Sequence, residues 1–351
     1  MSSSDEHDKP TEPPVKSHFL ASFANITTFF AASIGISLKR IVKKTGLKSP
    51  AILMNPDAHI PQEFFERLLH LIDETFPEKN MSLELVRNVP LAFLGSPGRV
   101  FKLSPDLGTW LDLFVQNSDV FSEQLEVELS NTDEEVILHI YHPLNDNDTG
   151  ASAEVGVGMG VRVVRELFSD NAIARIQFKH AARSQLSFYE NYFKAPITFQ
   201  AEFNALIFHR DALEQRNKNE HTETRKSLEW RFANLRQELG LSDADVLANI
   251  RKAIAYNAKK GEFSVFRLAQ RMDISSRSLQ RRANKAGTST QVLLDEARYD
   301  KALELLADEH ISIEEMAIKL GFSNKTNFHK AFQRWSQKTP NQVRREMRDE
   351  K

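Results

Sequence analysis

Residues 311–340 read ISIEEMAIKLGFSNKTNFHKAFQRWSQKTP. Ser312 is placed to cap a short helix carrying Met316, Ala317 and Leu320 at helical spacing. Gly321 follows, where a tight turn needs a residue that tolerates positive φ. Ser323 or Asn324 then opens a second helix with Phe328, Phe332 and Trp335 on one side and Lys325, Thr326, His329 and Lys330 on the other. One face packs; the other is cationic and hydrogen-bonding, as a helix lying in the DNA major groove requires. An ordinary amphipathic helix pair with a solvated charged face gives the same pattern, so this stretch alone does not decide between them.

A second copy does more. Residues 263–287 read FSVFRLAQRMDISSRSLQRRANKAG, and Leu268, Ala269 and Met272 match Met316, Ala317 and Leu320 at an offset of 48. Ile274 and Ser275 match Phe322 and Ser323 at the same offset, while Leu279 and Ala283 match Phe328 and Phe332 at 49, so the second copy's turn has gained a residue. The polar face of the first copy carries Arg277, Gln280 and Arg281. Between the copies, Thr290–Ala307 has no Gly or Pro and is rich in leucine. As a helix it spans ~27 Å at about 1.5 Å per residue, near the ~34 Å that separates major-groove segments on one face of the duplex. Two helices held that far apart fit one side of a bent site.

The C-terminal hundred residues resemble the DNA-binding domain of AraC-type transcription regulators. The resemblance rests on the Gly-Phe-Ser turn at 321–323, the Phe-x-x-x-Phe-x-x-Trp helix, and Thr339-Pro340, where Thr caps and Pro takes the first helical position. It implies that Arg277, Gln280 and Arg281 in the first recognition helix, and Lys325, Thr326, His329 and Lys330 in the second, face the bases. Lys330 stands where the family often has Arg. A lysine reaches guanine or phosphate without the planar bidentate fork, so backbone contact is the firmer expectation there.

With 351 residues the chain is long enough for about two domains. It has no cysteine, which excludes disulfides, thiolate catalysis and cysteine-ligated zinc, together with the cysteine-dependent repair proteins that share AraC-like helices. A cytoplasmic location is compatible with this. The net charge of −2 hides an asymmetry: residues 251–351 hold 21 Lys and Arg against 13 Asp and Glu, while residues 1–250 hold 25 against 35. A basic module joined to an acidic one points to a polyanion partner, double-stranded DNA, for the C-terminal part alone.

Residues 1–17 are polar, acidic and proline-rich and are expected to be a disordered tail. Residues 19–36 are apolar but interrupted by Asn25, Thr27 and Thr28, and read as a buried or amphipathic helix, so no membrane partner is expected. Helices are expected over Leu38–Lys44, Pro61–Thr75, Trp110–Ser118 and Ser184–Phe193. Strands are expected over Gln124–Ser130 and Glu135–His142 with a turn between them, then Ala174–Lys179, Ile197–Phe199 and Ala205–His209. The residues His180, Tyr189, Phe193, Pro196, Phe199, Asn204, Leu206 and Phe208 are similar to a run in one AraC subgroup, that of the arabinose-binding-like or ornithine-regulator-like effector domains. This implies an effector pocket or a dimerisation platform, with the effector unidentified. Gln215–Ser227 is almost wholly polar and reads as a linker. Leu228, Phe232, Leu235 and Leu239 then form a short heptad stripe, either packing on their own domain or joining a homodimer.

Other constellations lead less far. Gly156, Gly158 and Gly160 lack dinucleotide-loop spacing and suggest packing. His139 and Tyr141 share a strand face without a third metal ligand in view. Eighteen of the 24 Phe lie in residues 1–210, lining a core or an apolar ligand pocket. The expected fold is a mixed α+β sensing domain followed by an all-α domain with two helix-turn-helix motifs joined by a linker helix. The expected segments are 1–17 tail, 18–214 effector-binding or dimerisation domain, 215–241 linker and linker helix, and 242–351 DNA-binding domain. The expected function is a sequence-specific transcription regulator, an activator by resemblance, whose partners are DNA, RNA polymerase, a small-molecule effector and a second copy. No catalytic residue, metal or cofactor is assigned. An enzyme with a DNA-tethering tail and a helical adaptor that no longer binds DNA are the alternatives.

Overall fold

Alternating side chains on either side of a short polar turn make a hairpin, and that hairpin begins the main sheet in the computed structural model of the chain. Strands β1 (His18–Leu20) and β2 (His59–Pro61) form a small antiparallel pair beside helices α1 (Ala21–Ser33), α2 (Leu38–Thr45) and α3 (Gln62–Thr75). After α4 (Met81–Asn88), α5 (Gly95–Phe101) and α6 (Leu107–Asn117) comes the hairpin of β3 (Glu126–Asn131) and β4 (Glu135–Tyr141). Helix α7 (Ala151–Leu167), β5 (Ile173–Gln177), α8 (Leu186–Phe193), β6 (Ile197–Thr198), β7 (Asn204–His209) and α9 (Arg225–Glu238) complete this part. The sheet order is β3-β4-β7-β5-β6, antiparallel except for β5 with β6. The structure describes residues 18–47, 50–55, 57–90, 94–141, 150–219, 221–272, 274–308 and 310–349. The tail expected over residues 1–17, and His142 at the end of the expected strand, lie outside them. The described residues divide into two units, one up to Asp245 and one from Val246 onward.

Helix α5 was not among the expected elements; its sequence, GSPGRVF, carries two glycines and a proline, which disfavour a helix. Pro97 falls in the first turn of the helix, where no backbone N–H is required. The polar segment after Gln215 also differs from a linker. Asn217 donates to the carbonyls of Lys102 and Ser104 at 3.0 and 2.7 Å, and the Lys218 and Glu223 amides donate to Leu167 and Leu103. Polar composition alone does not say whether such groups bond to water or to a neighbouring backbone. The heptad stripe is likewise occupied: Leu228, Phe232 and Leu235 are buried in the core of the first unit, with the Phe232 ring 4.7 Å from that of Phe101. Arg236 and Asp119 form a buried ion pair at 2.6 Å that holds the same helix down.

The residues of the N-terminal resemblance form a polar and aromatic core. Tyr189 donates to the buried Glu154 at 2.5 Å and accepts from the Arg183 amide, while the Arg183 side chain pairs with Glu154 at 2.7 Å and with Asp73. Phe178, Phe193 and Phe199 pack edge and face around them. Asn204 accepts from the Lys179 amide at 2.9 Å, tying two strands. Burial raises the Glu154 carboxyl above its ordinary 4.5, against the pull of Arg183. A carboxyl raised by folding binds its proton more readily folded than unfolded. Its contribution therefore favours the fold below the ordinary value and is lost as pH rises through the raised one. Glu154→Gln removes this titration, so in urea melts between about pH 4 and pH 8 the variant's stability relative to the parent rises with pH.

Candidate nucleic-acid interface

The second unit is a doubled motif. Helix α10 (Asp243–Lys259) leads into α11 (Val265–Arg271) and α12 (Ser276–Lys285); α13 (Thr290–Leu306) leads into α14 (Ile313–Lys319), α15 (Lys325–Ser336) and α16 (Pro340–Asp349). The bounds of α11 and α14 differ by 48 residues, and the starts of α12 and α15 by 49, so the added residue does lie in the second turn. Caps repeat with them. Ser264 accepts from the Arg267 amide and Ser312 from the Glu315 amide, the latter in a reciprocal capping box. Ser275 caps α12 and Asn324 caps α15, at 2.9 and 2.8 Å, which decides between Ser323 and Asn324 for the second recognition helix. Thr339 accepts from the Gln342 amide at 3.3 Å with Pro340 opening α16.

Each copy has its own core. Leu268, Ala269, Met272, Ile274, Leu279 and Ala283 close the first with Ile250, Ile254, Leu293 and Leu294. Met316, Ala317, Leu320, Phe328 and Phe332 close the second with Ala302 and Leu306, and Trp335 packs against its edge. Ala297, midway along α13, touches both.

What fixes one copy against the other is Arg298, one residue further on. Its guanidinium donates to the Phe263 carbonyl at 2.6 Å, just before α11, and to the Leu320 carbonyl at 3.3 Å, just after α14. It pairs with Asp295 at 3.1 Å and lies over the rings of Phe263 and Phe322. Burial pulls its pKa down and Asp295 pulls it back. Asp295 also takes Arg334 of α15 at 2.7 Å. The turns touch as well. Gly261 has φ +72°, and a side chain there would come within 3.1 Å of the Lys319 carbonyl; Gly321 has φ +76°.

On α12, Arg277 and Gln280 are exposed and Arg281 is half-buried, whereas the neighbouring Arg282 is buried. On α15, Lys325, Thr326 and Lys330 are exposed, and His329 is half-buried with its Nε2 covered and unpaired among the described residues. Among the described residues neither Lys325 nor Lys330 forms an ion pair. Under the 49-residue offset Arg277 takes the place of Thr326, Gln280 of His329 and Arg281 of Lys330. Asn284 and Gln333, both exposed and one turn further along, continue the two faces. They were not expected from sequence, although their spacing of four from Gln280 and His329 is the signal that finds them.

Residues 35–217 match the family model for the arabinose-binding domain of AraC transcription regulators, N-terminal, and residues 268–346 match a helix-turn-helix domain. The ornithine utilization regulator of Pseudomonas aeruginosa is 22% identical over 329 residues, 92% of this chain and 95% of its own. The HTH-type transcriptional regulator VirS of Mycobacterium tuberculosis is 30% identical over 84 residues, 24% of this chain and 25% of that protein. Among solved structures, transcriptional regulator CdpR from Pseudomonas aeruginosa is similar over 92% of this chain and 98% of its own, with 19% identity and a TM-score of 0.45.

Arg298→Met leaves the carbonyls of Phe263 and Leu320 without their donor. A loss of about 3 kcal/mol is expected, read as a lowered urea midpoint by the fluorescence of Trp335 in a chain with Trp110 and Trp230 replaced by Phe, with weakened DNA binding although Arg298 is largely covered.

Proposed function

The chain belongs to the AraC-type transcription regulators, with the arabinose-binding-type domain covering more than half of it, and from that premise we propose how its residues read DNA. It is a DNA-binding transcription regulator with an N-terminal ligand-binding domain. Helices α12 and α15 enter two adjacent major-groove segments. Arg277, Gln280 and Arg281 face the bases of one, and Lys325, Thr326 and His329 face the other, with Lys330 on the phosphate backbone beside them. The observation that carries this is the pair of equivalent, N-capped helices whose outward faces are polar or cationic, in two copies tied together through Arg298. Lysines and arginines of the same unit neutralise phosphates and make the affinity salt-dependent.

The remaining roles come from the family. The protein acts in the cytoplasm as an activator, contacts RNA polymerase and works as a homodimer, without catalysing a reaction. Because the heptad stripe of α9 is buried in its own unit, the dimer contact lies on another surface. An effector bound in the first unit shifts the arrangement of the DNA-bound state.

Selection of bound sequences from a random DNA pool by the full chain tests the reading. A single enriched motif with two half-sites about one helical turn apart is expected, and failure to enrich any sequence overturns it. Gln280→Ala is expected to cost about 1–3 kcal/mol at one base position and to relax specificity there. Lys330→Ala is expected to weaken all sequences alike and to reduce the slope of log K against log salt by about 1. Equal behaviour of the two variants in competition titrations overturns the division into base and phosphate contacts.

A further inference from the structure

Between α7, the β3-β4-β7 part of the sheet and helices α1, α3, α5 and α6, the first unit has a partly open cavity of about 150 Å³. Its wall is aromatic and aliphatic, with Phe65, Phe101, Trp110 and Phe121 on one side and Leu138 and Leu206 on the sheet. Among the described residues the polar side chains in the lining are Gln62, Lys102, Ser122, Ser152 and the indole of Trp110, whose buried N–H has no partner; most of the others are already mated. Ser122 donates to Gln62 at 2.9 Å, and Lys102 pairs with Glu166 at 3.5 Å. A charged amino acid entering this space would leave its ammonium without a counter-charge and its carboxylate with none but Lys102, already paired with Glu166, at a cost of several kcal/mol. An apolar cavity of roughly this volume stays dry and accepts a single aromatic ring.

The glycine run of α7 gives the cavity its shape. A side chain at Gly160 would meet Leu206 at 2.8 Å, and one at Gly158 would touch Val86 and Tyr192, so both glycines serve close packing. Gly156 is different. It lines the cavity, it is exposed, and a Cβ there meets nothing within 4 Å. A glycine inside a helix gives up about 0.5–1 kcal/mol relative to alanine, and here no neighbour requires it. A side chain there would enter open space at the rim of the cavity.

We propose that this cavity is the effector site and that its ligand is an uncharged, mainly apolar molecule about the size of one substituted aromatic ring. This rests on the reading of the first unit as the sensing domain. The ligand class is therefore not that suggested by the relative named for ornithine utilization.

The test is calorimetric titration of the full chain with indole, toluene, octanoate and L-ornithine, alongside Gly156→Leu, which places a bulky side chain at the rim, and Phe114→Leu, which trims another lining ring and widens the cavity. Saturable binding of indole or toluene is expected, weakened about tenfold or more in Gly156→Leu with its melting temperature kept. In Phe114→Leu the preference should move from toluene towards naphthalene. The proposal is overturned if neither indole nor toluene binds saturably, if L-ornithine displaces indole, if octanoate alone binds, or if folded Gly156→Leu and Phe114→Leu bind as the parent does. DNA selection run in parallel separates the failures. A chain that enriches a DNA motif but binds no apolar probe sinks the cavity proposal alone. One that binds the probes but enriches no DNA sinks the regulator reading and leaves the cavity standing.

Discussion

One largely covered guanidinium, that of Arg298, ties the two halves of the DNA-binding unit together. Two helix-turn-helix copies on a common helix each have their own core, joined where Ala297 touches both and where Phe263, at the entry of the first copy, is buried in the second. Arg298 adds a polar tie by bonding to a carbonyl at the entry of the first copy and another in the turn of the second. Taking such a charge out of water is unfavourable unless its donors are satisfied. Asp295, two backbone carbonyls and the faces of Phe263 and Phe322 satisfy them. The same Asp295 reaches Arg334 on the second recognition helix, so the clamp extends to an element that approaches DNA.

The two glycines beside the clamp have separate reasons to be glycine. Gly321 takes the left-handed turn between α14 and α15, as expected from sequence. Gly261 also has positive φ, but it additionally lies where the Lys319 backbone approaches from the other copy. A turn signal is local and was visible. Contact between two turns some sixty residues apart in the chain is not encoded in any local pattern.

The same division runs through the rest of the molecule. The doubled motif, its caps and the hairpin were legible because each depends on residues within one or two turns of one another. Helix α5 was hidden by Gly95, Pro97 and Gly98, whose propensities argue for a loop; burial of Phe101 and close packing outweigh them. The segment after Gln215 and the stripe on α9 had the right local form, but their partners, Lys102, Ser104, Phe101 and Asp119, lie more than a hundred residues earlier. The candidate DNA-facing residues were found by period and offset, whereas Arg298 was indistinguishable from any other charge on a long polar helix.

Phe101 joins the cavity to the end of the first unit. It lines the cavity, stacks near Phe121 at 5.7 Å, and touches Phe232 of α9 at 4.7 Å. Helix α9 is otherwise held by Arg236 on Asp119, two residues before Phe121. Its chain then closes through the Leu241 amide on the Arg236 carbonyl and continues into α10, whose Ile250 and Ile254 belong to the core of the first helix-turn-helix. Close-packed interiors do not absorb the displacement of a ring locally. A ligand that moves Phe101 therefore acts on Phe232 or is opposed by it. Its effect reaches the chain beyond α9 only to the extent that it binds one arrangement of these rings better than another.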